Sequence, residues 1–187
     1  MIYVAALREV WTRLELQARP VDAGNDKPNG LLDGLKVKPN GEYRIDGEKD
    51  LPQVTMTELG IKDSVGRTDG RITLFVKTSR KNGWVSMDPT QKDGLYNWVE
   101  KVMDAIEISP STGESDTLLT LHRKDGTPLL KGGHPIQLLS EQFTTECRMS
   151  EINDLSFVAE IDIIFGIANG RRANRRSAPV TNADYTE

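Results

Sequence analysis

The residues best suited to chemistry stand apart from one another. His122, His134 and Cys147 are the only imidazole and thiol groups in the 187-residue chain. None has a second ligand at the short spacing that zinc sites use. Cys147 falls in the apolar-facing row of a strand and reads as a small buried hydrophobe. His122 follows a weak strand and His134 precedes Pro135 in a loop, so both read as surface or loop residues. Glu160 and Asp162 lie two apart on a strand and therefore share a face. A solvated or intersubunit polar face is the expected use of that pair, rather than a catalytic dyad. The chain carries no nucleophile elbow, no phosphate-cradling loop ending in Lys-Ser or Lys-Thr, and no dinucleotide fingerprint. The Asp-Gly pairs at Asp33, Asp46, Asp69, Asp93 and Asp125 are scattered turns, not a calcium loop with its ladder of oxygen ligands. No catalytic, cofactor-binding or metal-binding residue is assigned, and the expectation is a protein that is not an enzyme.

One charge feature stands out. Arg171, Arg172, Arg175 and Arg176 crowd a segment with nothing to bury, while the whole chain has a net charge of -4. The body is thus more acidic than the total suggests, and an acidic total argues against a dedicated nucleic-acid binder. Three readings of the arginines remain: a solvated tail, a phosphate contact exploiting the guanidinium fork, or an arm docking on an acidic neighbouring subunit. The arm is favoured and the phosphate contact comes second.

These residues hang on a framework of alternating hydrophobicity. Phe143, Thr145, Cys147 and Met149 alternate with Thr144, Glu146 and Arg148. Leu155, Phe157, Ala159, Ile161, Ile163, Phe165 and Ile167 alternate with Ser156, Val158, Glu160 and Asp162. Two such runs back to back predict an antiparallel pair with one buried face. Upstream, Leu7, Val10, Trp11 and Leu14 predict an amphipathic helix over 2–18 with Arg8, Glu9, Arg13 and Glu15 on its other faces; Pro20 ends it. Leu95, Trp98, Val99, Val102, Met103 and Ile106 predict a second helix, starting at Asp88-Pro89 or at Asp93 and ending at Ser109-Pro110.

Between the helices, one strand is expected through Val54, Met56 and Glu58, and a second through Ile72, Leu74 and Val76 after an Asp69-Gly70 turn. A short return at Trp84–Met87 and a weak strand at Leu118–Leu121 follow, then a Lys131–Pro135 loop. Residues 136–140 either begin the terminal hairpin or form a short extra element. Residues 20–50 are rich in Gly, Pro and Asn. Lys27-Pro28-Asn29-Gly30 recurs as Lys38-Pro39-Asn40-Gly41, a turn between Leu35–Val37 and Tyr43–Ile45. Asn40, Tyr43 and Arg44 of that insertion join the four arginines, Glu160 and Asp162 as candidate contact residues. The expected fold is α+β: a mostly antiparallel sheet packed by two amphipathic helices, in one domain over 1–167. A long N-terminal insertion and an extended basic C-terminal arm, 168–187, complete it.

A single cysteine rules out an internal disulfide and fits a reducing compartment. The apolar start, Met1–Leu7, is short and broken by Arg8 and Glu9, so no signal peptide is expected. No apolar run approaches the length of a membrane span. A soluble intracellular product is expected.

The order of elements resembles the tail-terminator, or tail-completion, proteins of long-tailed bacteriophages. The likeness spans 2–167. It comprises an amphipathic helix, a charged Asp50-Leu51-Pro52-Gln53-Val54 strand opening, a Gly-led second strand, a middle helix from Leu95 to Ile106, and two long terminal strands. Its most specific pieces are Leu51-Pro52-x-Val54 and the strand from Leu155 to Ile167. The resemblance implies a non-enzymatic virion protein without cofactors. It implies a hexameric ring that caps the finished tail tube, stops its polymerisation and presents the surface joining tail to head. Expected partners are sister subunits, the tail-tube protein and neck or head-completion proteins, with no membrane and at most non-specific contact with passing DNA. The insertion at 20–50 and the basic arm depart from the family pattern. Both suit connector contacts, and both leave open another neck or tube component. A nucleic-acid-associated module using the arginine arm is the competing class.

Overall fold

Alternation of large apolar and polar residues over a dozen positions can bury only one face of an extended chain against a helical layer. The computed structural model realises this as two helices over one sheet. It describes residues 2–19, 30–38, 51–64, 67–79, 88, 90–91, 94–110, 112–116, 119–131, 133–138, 144–153 and 156–168. The elements are α1 (Ile2–Gln17), β1 (Lys36–Lys38), β2 (Gln53–Ser64), β3 (Arg67–Ser79), α2 (Leu95–Ile106), β4 (Leu130–Lys131), β5 (His134–Pro135), β6 (Thr144–Asn153) and β7 (Ser156–Ala168). The fold is α+β, with four long antiparallel strands in the order β2-β3-β7-β6. The three-residue β1 joins the β2 edge in parallel, Lys36 opposite Gln53 and Lys38 opposite Thr55. β4 and β5 form a separate two-stranded ribbon where a plain loop was expected.

The core lies between the sheet and the helices. Val54 and Met56 of β2, Ile72, Leu74 and Val76 of β3, and Ala159, Ile161, Ile163 and Phe165 of β7 face it. From above come Leu95, Trp98, Val99, Val102, Ala105 and Ile106 of α2, with Ala5, Ala6, Val10 and Leu14 of α1. α2 packs on β3 and β7, and α1 packs on α2. Leu32 and Leu35, from the middle of the expected insertion, also reach this core. At about 1.5–3 kcal/mol for each large side chain fully removed from water, this cluster is the main source of stability. Among the described residues no helix is long and apolar enough to cross a membrane.

Three local expectations are corrected. Asp69-Gly70 is not a turn but lies within β3, which runs on from Arg67. Gly70 is needed there for space: it pairs with Phe165, and a Cβ at Gly70 would run into the Phe165 ring. α2 starts at Leu95 with Gly94 as its N-cap and no side-chain cap, rather than at Asp88 or Asp93. Asp88 instead folds a local turn, its Oδ1 accepting from Thr90 N at 2.8 Å and Thr90 Oγ1 at 2.7 Å, which holds its carboxyl below the usual carboxylate range. Gly94 suits the tight start because a Cβ there would lie 2.8 Å from the Asp88 carbonyl oxygen. Of the strand expected at 118–121, Leu118 lies outside the described residues and residues 119–121 are not a regular strand. The segment is held by isolated bridges, Thr120 to Gln137 and His122 to Pro128. Residues 136–138 form a separate piece packed back on it, with Leu121 N donating to Ile136 O at 2.9 Å. The Tyr43–Ile45 and Trp84–Met87 segments lie outside the described residues.

Gly70→Ala is expected to cost about 1–3 kcal/mol by overpacking against Phe165. Urea unfolding of Gly70→Ala, and of Gly70→Ala combined with Phe165→Leu, checks this. The smaller ring-less side chain should return part of the loss.

Candidate functional site

Helical spacing places Glu9, Arg13 and Gln17 in one i,i+4 row beside Val10 and Leu14, so the inner face of α1 is partly polar. Glu9 is 3% exposed and Arg13 1%. The expectation that both sit on outward faces is therefore overturned: the helix points this charged row inward at the irregular segment after α2.

The Arg13 guanidinium finds an acceptor for every N–H it carries. Nε donates to Glu9 Oε1 at 3.0 Å. Nη1 donates to the carbonyls of Ile106, at 2.8 Å, and Asp116, at 3.4 Å. Nη2 donates to Asp116 Oδ2 at 2.7 Å and to Thr120 O at 3.3 Å. Asp116 Oδ2 also accepts from Thr120 N at 2.9 Å. Glu9 closes the network from the other side. Its Oε2 accepts from His122 N at 3.0 Å, and its Oε1 lies 3.0 Å from His122 Nδ1. Arg8 Nη2 donates to His122 O at 2.8 Å. His122 is 6% exposed, so it is an interior residue of a charge network and not the surface residue expected. With each guanidinium donor occupied, Arg13 has none left for a substrate. The chemistry of this cluster is adhesion: it ties α1, the end of α2, Asp116, Thr120 and His122 together.

A second cluster lies on the sheet face turned away from the helices. Arg71 grips Asp162 through two nitrogens, Nε to Oδ1 at 2.9 Å and Nη2 to Oδ2. Thr73 Oγ1 donates to Asp162 Oδ1 at 2.7 Å. Arg71 Nη2 also lies 3.7 Å from Glu160 Oε1. Asp162 is 1% exposed and its charge is satisfied within the chain, whereas Glu160 is only partly buried. This face is buried rather than solvated along much of β2, β3 and β7, with Gln53, Thr55, Thr73, Phe75, Lys77, Val158 and Asp162 all covered. Burial, and secondarily the charge of Lys38, lowers the pKa of Lys77.

The candidate contact residues thus separate. Glu160 and Asp162 fall together on β7, opposite Phe75 and Thr73. Asn40, Tyr43, Arg44, Arg171, Arg172, Arg175 and Arg176 lie outside the described residues. His134 is exposed in β5, and Cys147 pairs with Ile161 in the β6–β7 ladder. Among the described residues no group of three or more His, Cys, Asp or Glu could hold a metal ion. Sequence reasoning missed Glu9, Arg13, Asp116 and His122. The available signal was the i,i+4 row of Glu9, Arg13 and Gln17 flanking the apolar stripe. Comparison with protein-family models and with curated proteins finds no match for this chain.

Replacing Arg13 by Ala leaves the buried Glu9 and the partly buried Asp116 without their cation, and is expected to cost about 3–5 kcal/mol in denaturant unfolding. A double-mutant cycle of Arg13→Ala with Asp116→Ala should show a coupling energy well above that of an exposed pair, about 0.2–1 kcal/mol. Lys77 makes a prediction of opposite sign. Its ordinary value is near 10.5 and its folded value is lower, so between the two the unfolded chain binds the extra proton. Stability contributed by this residue therefore rises as pH climbs toward 10.5. Measured against Lys77→Met, the native chain should gain stability over that window.

Proposed function

We propose that the chain is a structural ring subunit of a phage tail or neck, most specifically a tail terminator. Six copies would cap the finished tube, stop its growth and offer the joining surface to the head. The observation that carries this reading is the α+β order itself: a helix, two long strands, a helix, then a long terminal hairpin that completes one sheet. A closed ring needs heterologous contacts, each made of two unlike surfaces. The sheet offers unlike sides: the short parallel β1 with its two lysines bounds one, and the ten-residue β6 with Glu146, Arg148 and Glu151 bounds the other. The arginine arm, 168–187, would reach an acidic neighbouring copy and add contact without enlarging the core. The protein acts by binding, without turnover or cofactor, and works in the virion after assembly in the host cytoplasm. Glu160, half turned to solvent beside Arg71, is a candidate contact, as are Asn40, Tyr43 and Arg44. Another neck or tube connector would share this architecture.

Light scattering and negative-stain imaging across a concentration series test the proposal. Closed rings of six are expected. Replacing Arg171, Arg172, Arg175 and Arg176 by Ala should shift the population toward open or smaller species. A chain that stays monomeric, neither assembles on nor caps purified tail tubes, and instead binds DNA with a salt dependence lost in the four-Ala variant contradicts it.

A further inference from the structure

The sheet is covered on both faces, although both helices lie on one. α2 packs on β3 and β7, and α1 packs on α2, on the side of Ile72, Leu74 and Ile161. An antiparallel sheet backed by one helical layer ordinarily leaves its other face to water. Here Gln53, Thr55, Phe75, Lys77, Ser156 and Val158 of that other face are each no more than 6% exposed. This is the burial of a single chain, and Phe75, Lys77 and Ser156 each have a partner within it. The cover is therefore intramolecular, and neither helix supplies it.

The strand order says which segment can reach this face. β7 has β3 on one edge and β6 on the other, so the chain that leaves Ala168 cannot run back beside β7 in the plane of the sheet. The core side is filled by the helices. Asn169-Gly170 comes next in the sequence, the pair best suited to reverse an extended chain. A chain reversed there runs over the outer face from the Ala168 end of β7 toward its Ser156 end. Residues 169–187 can span about 60 Å when extended. β7 itself is about 40 Å long, so the arm is long enough to cross the whole face.

Charge runs in matching order on the two partners. Approached from the Ala168 end, the face has an acidic band. Glu58, Thr73, Asp162 and Glu146 stand in one register row, and Glu160 is in the next. Arg71 and Arg148 lie among these four acids and leave the band net negative. Phe75 and Val158 form an apolar middle, and Lys38, Lys77 and Lys36 close the far end. The arm presents Arg171, Arg172, Arg175 and Arg176 first, then Ala178-Pro179-Val180, then Asp184 and Glu187. Laid along β7 from the Asn169-Gly170 reversal, basic meets acidic, apolar meets apolar and acidic meets basic.

We propose that in the free chain the C-terminal arm, 169–187, docks on the outer face of its own sheet. Its arginines meet the Asp162–Glu160 band, and Val180 meets Phe75 and Val158. The docking does not rest on the ring reading. In a ring the same arm would leave its own sheet for a neighbour's, so the docked arm holds the assembly contact closed until copies meet.

Disulfide capture in the full chain, with Cys147→Ser as background, tests this. Val158→Cys combined with Val180→Cys should close a bond within one chain under mild oxidation at low protein concentration. Val4→Cys, exposed on α1, combined with Val180→Cys is the control and should cross-link at least tenfold more slowly. Lysine acetylation followed by mass spectrometry covers the case in which Val158→Cys fails to fold. Lys77 should react slowly in the native chain. Its rate should rise at least tenfold when Arg171, Arg172, Arg175 and Arg176 are changed to Glu. Equal cross-linking of the two pairs, or a Lys77 rate unmoved by the four Glu substitutions, overturns the proposal. Cross-links that form only between chains also overturn it, while leaving the ring reading standing. Capture of Val158→Cys by Tyr43→Cys in place of Val180→Cys would assign the cover to the 20–50 insertion and likewise overturn it.

Discussion

The helical side of this molecule depends on the burial of one guanidinium. Arg13 lies in the interior with its charge met by Glu9 and Asp116 and its remaining donors by main-chain carbonyls from the end of α2 and from 116–120. The described residues between 107 and 138 contain little regular structure beyond the β4–β5 ribbon, and so have few ladder hydrogen bonds of their own. Their attachment comes instead from apolar anchors, Leu119, Leu121 and Leu138, and from the charge network beside them. The arrangement even holds Leu119 in the left-handed region, at φ 42°. That conformation costs a residue with a Cβ about 1–2 kcal/mol, and full burial of the leucine side chain offsets it. A buried ion pair adds little net stability over a well-packed apolar one, but it is intolerant of rearrangement, because any other register leaves a charge unpaired. The network therefore selects one docking of this segment.

The two faces of the sheet solve different problems. Toward the helices, Val54, Met56, Ile72, Leu74, Val76, Ala159, Ile161, Ile163 and Phe165 form an apolar surface, which drives collapse. Away from them it is polar yet largely covered, with Asp162 gripped by Arg71 and Thr73, and with lysines clustered about Gln53 and Thr55. A polar face that is buried binds by specific partners rather than by area.

Much of the fold was readable because periodicity is a strong signal where one face is buried. The β6–β7 hairpin and α2 follow from Ala159–Phe165 and Leu95–Ile106, whose apolar residues recur at periods of two and of three to four. The errors fall where a residue's role is set by distant partners. Asp69-Gly70 has the composition of a turn, but only the Phe165 ring across the ladder explains the glycine within a strand. Gly94 begins α2 in place of the better-looking Asp88, since Asp88 is already engaged by Thr90. Local pattern puts Glu9 and Arg13 on the polar faces of the helix and His122 at the surface or in a loop, yet all three are buried. Apart from the i,i+4 contact of Arg13 with Glu9, their partners lie more than ninety positions away in the chain, at Ile106, Asp116 and across to α1 itself. Local pattern carries no record of such pairings. The candidate contacts in the insertion and arm had only composition behind them, and composition identifies charge without naming what it meets.

Hydrogen exchange at two backbone amides tests the central claim most directly. The N–H groups of His122 and Thr120 donate to carboxylates, Glu9 Oε2 and Asp116 Oδ2, rather than to a strand or helix. If the network docks this segment onto α1, both amides exchange as slowly as those of β3 and β7, and both lose that protection together when Glu9 is changed to Ala. Exchange of either amide at the rate of an open loop in the native protein would contradict the account.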